Sequence, residues 1–396
     1  MDSAISSNSK ATPNPKLEWF LLHAGFVVIG VITTSLGPLL PMFSKQWGLS
    51  DAQMGSFFPS QYWASLIGVM VTGWLLPRLG FSKVLGAAFV FLTLGMGFMG
   101  VSPWMLTASC VTLSGFGYGL ANPTTNLRGT QLPSSNVVVA VSLLNFSWGV
   151  GAVACPFLVA ALVPRIGIRG FGVCMAVCTV AIALAHFFRA APAVGAAGER
   201  AKHSWADWMQ HLQQGAAIPL VLLFFLYVGT EAGVGGWVAA LEKRLPAGGH
   251  ASALTIAPSV FYGFLLLGRG LAPLGFRRFS TVAISLGGLL SATAGTTLIA
   301  LAHSSPVLLA GSAMAGFGCA PQYPVLVTWL AKIFRKDSDW LAVLYFSAGS
   351  LGGGALPQLV GSIATTSHSL RAGFLVPLVA SVAMVILALK VRPYTR

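Results

Sequence analysis

Hydrophobic positions in this chain fall in long blocks separated by short polar breaks, with no run of short alternating strands. Twelve blocks reach the roughly 20 residues that a helix needs to cross the ~30 Å hydrocarbon layer of a bilayer. Their cores lie at 18 to 42, 54 to 77, 82 to 102, 104 to 127, 137 to 163, 168 to 189, 217 to 241, 253 to 275, 280 to 302, 305 to 331, 340 to 365 and 371 to 391. The glycines and prolines inside them are compatible with membrane helices, which use small residues for close packing and tolerate both residue types.

The blocks repeat. Gly30 and Gly37 match Gly229 and Gly236, and Pro59-Ser60 matches Pro258-Ser259, each 199 residues on. Gly117 and Gly119 match Gly316 and Gly318 at the same spacing, Phe146-Ser147 matches Phe346-Ser347 at 200, and Gly80-Phe81 matches Gly275-Phe276 at 195. Ordered matches at a nearly constant offset indicate duplication. Because an even number of spans separates each pair, both halves run in the same direction through the membrane. The expectation is an all-α membrane protein with twelve transmembrane helices in two parallel, pseudo-symmetric six-helix bundles. It divides into a cytoplasmic tail (1–16), a first bundle (17–189), a cytoplasmic linker (190–215), a second bundle (216–392) and a short cytoplasmic tail (393–396). Within the linker, the segment from Trp205 to Leu212 has apolar residues at helical spacing that suits the membrane interface.

Composition supports the membrane reading: of 396 residues 55% are hydrophobic and 8% charged, and the mean hydropathy is +0.79. Sixteen of the 23 Lys and Arg residues fall on the side of the N-terminus if that side is cytoplasmic, so both termini are expected in the cytoplasm of a multi-pass inner-membrane protein. The net charge of +14 is thereby mostly a topology signal. Spread one or two per loop, it does not make the clustered basic face of a nucleic-acid binder. The five cysteines lie in apolar blocks without metal-ligand grouping and read as packing residues. There is no Walker loop, metal motif or nucleophile with a positioned base, so no enzyme activity, cofactor or metal is expected.

Between helices two and three stands Gly73-Trp-Leu-Leu-Pro77-Arg78-Leu79-Gly80-Phe81-Ser-Lys83, which resembles the cytoplasmic loop signature of the major facilitator superfamily. The resemblance gives Arg78 and Lys83 a gating role; the alternative is that they only set topology. Tyr227-Val-Gly229-Thr-Glu231, Phe261-Tyr262-Gly263 with Gly268-Arg269, Gly316-Phe-Gly318-Cys-Ala320-Pro321-Gln322-Tyr323-Pro324, and Gly349-Ser-Leu-Gly352-Gly353 with Leu356-Pro357 are similar to the fucose permease-like, sugar:proton symporter branch. That resemblance implies a central site of monosaccharide size and alternating access. It also implies carboxylates on helices one and four, but the matching positions here are Gly37 and Asn122. An amide can still read a hydroxyl as donor and acceptor, but it does not titrate near neutral pH.

Glu231 is read as the one acidic residue inside a span, which makes it a functional candidate for ion coupling or substrate binding. Its alternative is a structural ion pair with Arg269. From the 1.5 Å rise per residue, the two sit ~21 Å and ~10 Å above the cytoplasmic ends of their helices, which leaves direct pairing open. Further candidate substrate contacts are Gln61 and Tyr62 on helix two, Asn122 and Asn126 on four, Asn145 and Trp148 on five, Trp237 on seven, Tyr262 on eight, Gln322 and Tyr323 on ten, and Tyr345 and Gln358 on eleven. Amides read hydroxyls, and flat rings cover the apolar face of a sugar. The leading expectation is a monomeric secondary transporter of a small polyhydroxylated solute, either symported with H+ or Na+ or moved alone. Efflux of amphipathic compounds is the alternative, although Gly151 and Pro156 do not form the helix-five Gly-Pro pair of such carriers. A non-transporting sensor is a third option, for which no signalling domain is apparent.

Overall fold

The computed structural model describes residues 15–132, 137–188, 205–246, 255–334 and 338–395. Most of the expected N-terminal tail and the first part of the expected linker, through residue 204, lie outside the described residues. Among those described, every regular element is a helix.

The twelve passes are assembled from helices of unequal length. Pass 1 is α1 (Pro15–Thr34) continued by α2 (Leu36–Trp47), and the short α3 (Asp51–Gly55) follows. The hydroxyl of Ser35, between α1 and α2, donates back to the Ile32 carbonyl. Passes 2 and 3 form α4 (Phe57–Gly97), pass 4 is α5 (Trp104–Gln131), and passes 5 and 6 form α6 (Val137–Phe187). After the linker helix α7 (Trp205–Leu212), passes 7 to 9 are α8 (Ala217–Glu242), α9 (Ala257–Phe276) and α10 (Thr281–Ala300). Pass 10 is α11 (Ser305–Cys319) and α12 (Gln322–Phe334), broken at Ala320-Pro321, and pass 11 is α13 (Ser338–Ser367). Pass 12 is α14 (Leu370–Gly373) with α15 (Leu375–Val391).

A straight α4 of 41 residues would be ~60 Å long, twice the hydrocarbon thickness. It folds back at Gly80 (φ 76°, ψ 168°), so that Gly68 on one leg and Gly95 on the other both lie against α5. Gly167 (φ 71°, ψ 174°) does the same in α6. That backbone region is open essentially to glycine alone. Seven segments are long and apolar enough on composition to cross a membrane, and two of these are the doubled ones. Passes 4 and 11 are not among them because polar groups such as Asn122, Asn126 and Gln358 lower their mean hydropathy, and pass 10 is not because its break leaves helices of 15 and 13 residues.

Close backbone contacts reveal the register of the duplication. Gly68 lies against Phe116 and Gly119, and Gly268 lies against Phe317 and Ala320. A Cβ on Gly115 would strike the Gln61 carbonyl and one on Gly316 the Phe261 carbonyl, while Gly95 and Gly295 sit against Cys110/Ser114 and Gly311/Ala315. Passes 2 and 3 therefore correspond to 8 and 9 at a shift of 200 (268 − 68), and pass 4 to pass 10 at 201 (316 − 115). This corrects the register read from the sequence, which paired Gly117 with Gly316. In pass 1, Val27 meets Gly151 as Phe225 meets Gly352, a shift of 198 (225 − 27) that places Thr33 opposite Glu231.

The halves meet through pass 1 on 7, 2 on 11 and 5 on 8. The linker helix is docked on the second half by His211, whose Nε2 is 2.9 Å from the Tyr345 hydroxyl.

A Cβ at Gly167 would touch nothing within 4 Å, and the same is true at the helical Gly263. Gly167→Ala should therefore destabilise through backbone strain alone, by about 1–3 kcal/mol, while Gly263→Ala should be neutral or slightly stabilising. Thermal unfolding of the purified protein checks this, and equal midpoints for the two variants would refute the strained reversal.

Candidate functional site

The two halves close on each other at one end and part at the other. At the end opposite the start of α1, the Arg244 guanidinium makes a bidentate pair with Asp51 at 2.5 and 2.8 Å. Beside it the Ala52 amide donates to Thr365 Oγ1 (2.8 Å), and Gln358 Nε2 donates to the Ala52 carbonyl (3.1 Å). Deeper in, Phe58 lies against Trp237, and Gly37 approaches Gly235 and Gly236 so closely that a Cβ would sit 2.8 Å from a carbonyl oxygen. Position 37, where the family resemblance calls for a carboxylate, has no room for a side chain in this state.

Cross-half contact continues inward to Trp63 Nε1 on the Leu351 carbonyl and to Tyr62 against Gly353. Beyond that level the same helix faces are bare: on pass 2 the face of Trp63 continues through Ile67, Met70 and Trp74, all exposed, and on passes 5 and 11 Phe146 and Val343 are exposed as well. The result is a cleft open toward the end where α1 starts. Its closed floor is near Tyr62, Trp148 and Tyr262.

One wall of this cleft holds the charged group. Tyr227 and Glu231 lie one turn apart on α8, so both project from one face. The Tyr227 hydroxyl donates a short hydrogen bond to Glu231 Oε2. From α9, Arg269 Nη2 reaches the same oxygen at 3.4 Å and Tyr227 Oη at 3.3 Å. Arg269 and Glu231 therefore pair directly, since the long guanidinium arm spans the height difference between their backbones. The Arg269 side chain is 30% and that of Glu231 18% exposed, which leaves both within reach of solvent in the cleft. The guanidinium also lies 5.9 Å from the Trp148 ring centre, across the boundary between halves and within cation–π range. Trp148 is held in turn by its indole N–H on Thr33 Oγ1 (3.1 Å) and by Tyr262 edge-on at 6.2 Å. Tyr62, Tyr118 and Cys319 lie within Coulombic reach of Glu231.

The facing wall carries the amides. Asn145 Nδ2 donates to Asn126 Oδ1 (2.9 Å), and Asn126 Nδ2 donates to the Asn122 carbonyl and Oδ1. The three form one chain across passes 4 and 5. Tyr323 is 44% exposed and stacks on Phe346 at 6.1 Å.

Other candidates are occupied elsewhere. Gln322 is buried and spends its amide on Ser285 and Gly318, toward pass 9. Tyr345 is buried against the linker helix, and Trp237 is buried with its indole N–H on the Pro357 carbonyl. Gln61 closes passes 1 and 2 through the Thr33 carbonyl, and Gln358 belongs to the closed end. Arg78 turns back on its own helix, donating to the Trp74 carbonyl (2.7 Å) and covering the Trp74 ring at 4.2 Å. Lys83 is exposed.

Sequence reasoning passed over three features. Tyr227 was visible only through its i, i+4 spacing to Glu231, and Thr33 only through the packing register. The third is a buried pair, Glu18 with Arg128, bidentate at 2.5 and 3.0 Å. Glu18 lies within the first span, so Glu231 does not stand alone there, and the pair ties pass 1 to pass 4 with Arg128 over the Phe81 ring at 5.5 Å. Among the described residues no group of His, Cys, Asp or Glu could hold a metal.

A twelve-pass fold with a cleft between two like halves agrees with the sequence comparison, in which residues 22–295 match the Major Facilitator Superfamily. The chain belongs to the Major Facilitator Superfamily. Its apolar helices make it a multi-pass membrane protein, and transporters of this superfamily bind small-molecule substrates. Its fold is that of the E. coli fucose:proton symporter FucP, seen in a single-residue variant (TM-score 0.65, 17% identity, 94% of this chain and 98% of that one). It is likewise that of a mutant of the nucleoside transporter NupG (0.76, 15%, 97% and 100%), and of the inward-open E. coli xylose transporter XylE (0.70, 13%, 94% and 95%). In sequence it is similar to a gallate transporter of Pseudomonas putida, 29% identical over 162 residues (39% of this chain). It is also similar to the 4-hydroxybenzoate transporter PcaK of the same organism, 25% over 169 residues (41%). The matched stretches span 36% and 38% of those two relatives.

The Asp51–Arg244 pair is partly exposed, so losing it should shift the equilibrium between closed and open ends by about 1 kcal/mol, roughly five-fold. With spin labels at Lys45→Cys and Thr366→Cys, Asp51→Asn should add a longer-distance population in pulsed electron resonance. An unchanged distribution would show that the pair does not hold this end.

Proposed function

We propose that this chain is a secondary transporter of the cell inner membrane, with both termini cytoplasmic, moving a small uncharged hydroxyl-rich solute of monosaccharide or polyol type by alternating access. On this reading the cleft opens to the cytoplasm and the Asp51–Arg244 end faces outward. The observation that carries it is the composition of the cleft. A charge-balanced Glu231–Arg269–Tyr227 cluster faces an Asn122–Asn126–Asn145 amide chain, with Trp148, Tyr262 and Tyr323 as flat surfaces. A site neutral in sum accepts an uncharged solute without breaking its own ion pair, and amides and phenols supply paired donors and acceptors for hydroxyls.

Glu231 is the coupling group in this scheme, with the proton as the ion. While ionised, it accepts from Tyr227 and Arg269 and keeps the guanidinium with the second half. Protonation weakens that hold and leaves Arg269 its contact with Trp148 of the first half. The proton thereby changes which half Arg269 is bound to, which is what coupling to a rocking motion requires.

A second reading has support of its own: the two relatives similar in sequence are transporters of gallate and of 4-hydroxybenzoate. A hydroxylated aromatic carboxylate would stack on the tyrosines and take Arg269 once Glu231 is protonated.

Proteoliposome uptake distinguishes them. Monosaccharides or polyols should enter saturably and faster under an inward proton gradient, with a sodium gradient having no effect. Glu231→Gln should abolish the gradient stimulation while leaving solute exchange, and Asn145→Ala should raise KM about five- to ten-fold, the equivalent of one hydrogen bond. Uptake confined to aromatic acids would replace the first reading with the second. Gradient stimulation that survives in Glu231→Gln would remove this residue from coupling.

A further inference from the structure

We propose a second ligand site, outside the transport path, for the headgroup phosphate of an anionic phospholipid. It lies in a cleft of about 650 Å³ formed where passes 8, 9, 10 and 12 end. Two cations from distant parts of the chain, Lys332 at the end of α12 and Arg392 after α15, line this one space, and no carboxylate is among its described lining residues. Both cations are exposed. Arg277 and Arg278, in the adjoining turn between α9 and α10, are exposed too and add to the positive field.

The remaining wall is of two kinds. The first turn of the 20-residue α10 forms part of it, and its leading N–H groups have no partner within the helix. Ser280 caps this turn through the Ala283 N–H (3.2 Å), and Thr281 is fixed to pass 10 by the Trp329 indole N–H (3.1 Å). Phe276, Phe279 and Leu286 supply apolar surface in the same cleft, and Phe279 is 63% exposed. Cations with no carboxylate among the described lining residues, next to apolar surface, fit an amphiphile. A soluble anion would use the first feature and leave the second wetted, whereas a phospholipid places phosphate on Lys332 and Arg392 and its chains along the helices.

The cleft is at the end of the bundle where the chain terminates. Its assignment to the inner leaflet, where anionic lipids attract basic clusters at membrane depth, rests on the orientation proposed above; the site itself does not. Occupancy there would tie pass 12 to passes 8 to 10 and stiffen the second half as a rocking body.

Native mass spectrometry of the full-length protein, titrated with phosphatidylglycerol and with phosphatidylcholine of the same chains, tests the proposal. The wild type should retain phosphatidylglycerol about ten-fold or more in preference, and Lys332→Gln/Arg392→Gln should lose that preference. A control with the same change of net charge at the other end, Lys45→Gln/Arg371→Gln, should keep it. Should the double variant fail to fold, as judged by thermal unfolding in zwitterionic detergent, Arg392→Gln alone should show a loss of about five-fold. No preference in the wild type, or equal loss in the control, overturns the site. Binding of soluble glycerol phosphate as tight as that of the lipid overturns the choice of ligand. None of these readouts involves transport, so the result stands apart from the substrate and coupling assignments.

Discussion

Close approach of helix backbones is the constraint on which the rest depends. Lipid chains are as apolar as leucine, so helices in a bilayer gain little by hiding apolar side chains from it, and they associate through packing and small-residue contact instead. Here carbonyls of passes 2 and 8 lie where a Cβ of Gly115 or Gly316 would be, and Gly95 and Gly295 admit passes 4 and 10 in the same way. These contacts lock each half internally. They also make the halves superimposable in design, with a shift of 200 or 201 residues maintained through three passes.

Between the halves, polar contacts are added to glycine approaches of the same kind. The closed end combines a partly exposed ion pair, two side-chain-to-backbone hydrogen bonds, the Phe58–Trp237 contact and close glycine approaches at Gly37, Gly55 and Gly361. Each such polar contact is worth about a kcal/mol or less. In the alternating-access cycle proposed above this interface opens, and two states separated by only a few kcal/mol are what a ligand or a proton can invert. The bonds within a half have no such requirement, and there the buried bidentate Glu18–Arg128 pair is found.

The twelve passes were legible because blocks of apolar residues have no other use at that length, and the duplication because glycines mark helix contacts. The register was less legible. Gly115, Gly117 and Gly119 alternate along one helix, so Gly117 could be matched to Gly316 by eye when packing pairs Gly115 with it. Glu231 stood out as a carboxylate in an apolar block, and its tie to Arg269 depended on side-chain reach that backbone heights do not give. Polar residues on helices apolar all round, such as Gln322 and Tyr345, have no periodicity that tells which neighbour they face. Glu18 was missed because it sits at the edge of its block, where a carboxylate reads as solvated.

Of the corresponding residues Thr33 and Glu231 only the second is a carboxylate, and this difference has a physical sense. The residue opposite Glu231 in the first half is Thr33, which accepts the indole N–H of Trp148, and Trp148 is the ring beneath Arg269. The duplicated positions are thus joined in series: Glu231 holds Arg269 from one half, and Thr33 fixes the aromatic face that meets it from the other. A second carboxylate at position 33 would compete for the same guanidinium. With a neutral hydroxyl there, Glu231 is the carboxylate that pairs with this cation. On the proposed reading, a symmetric scaffold with asymmetric charge lets a single protonation event bias the motion of the two halves.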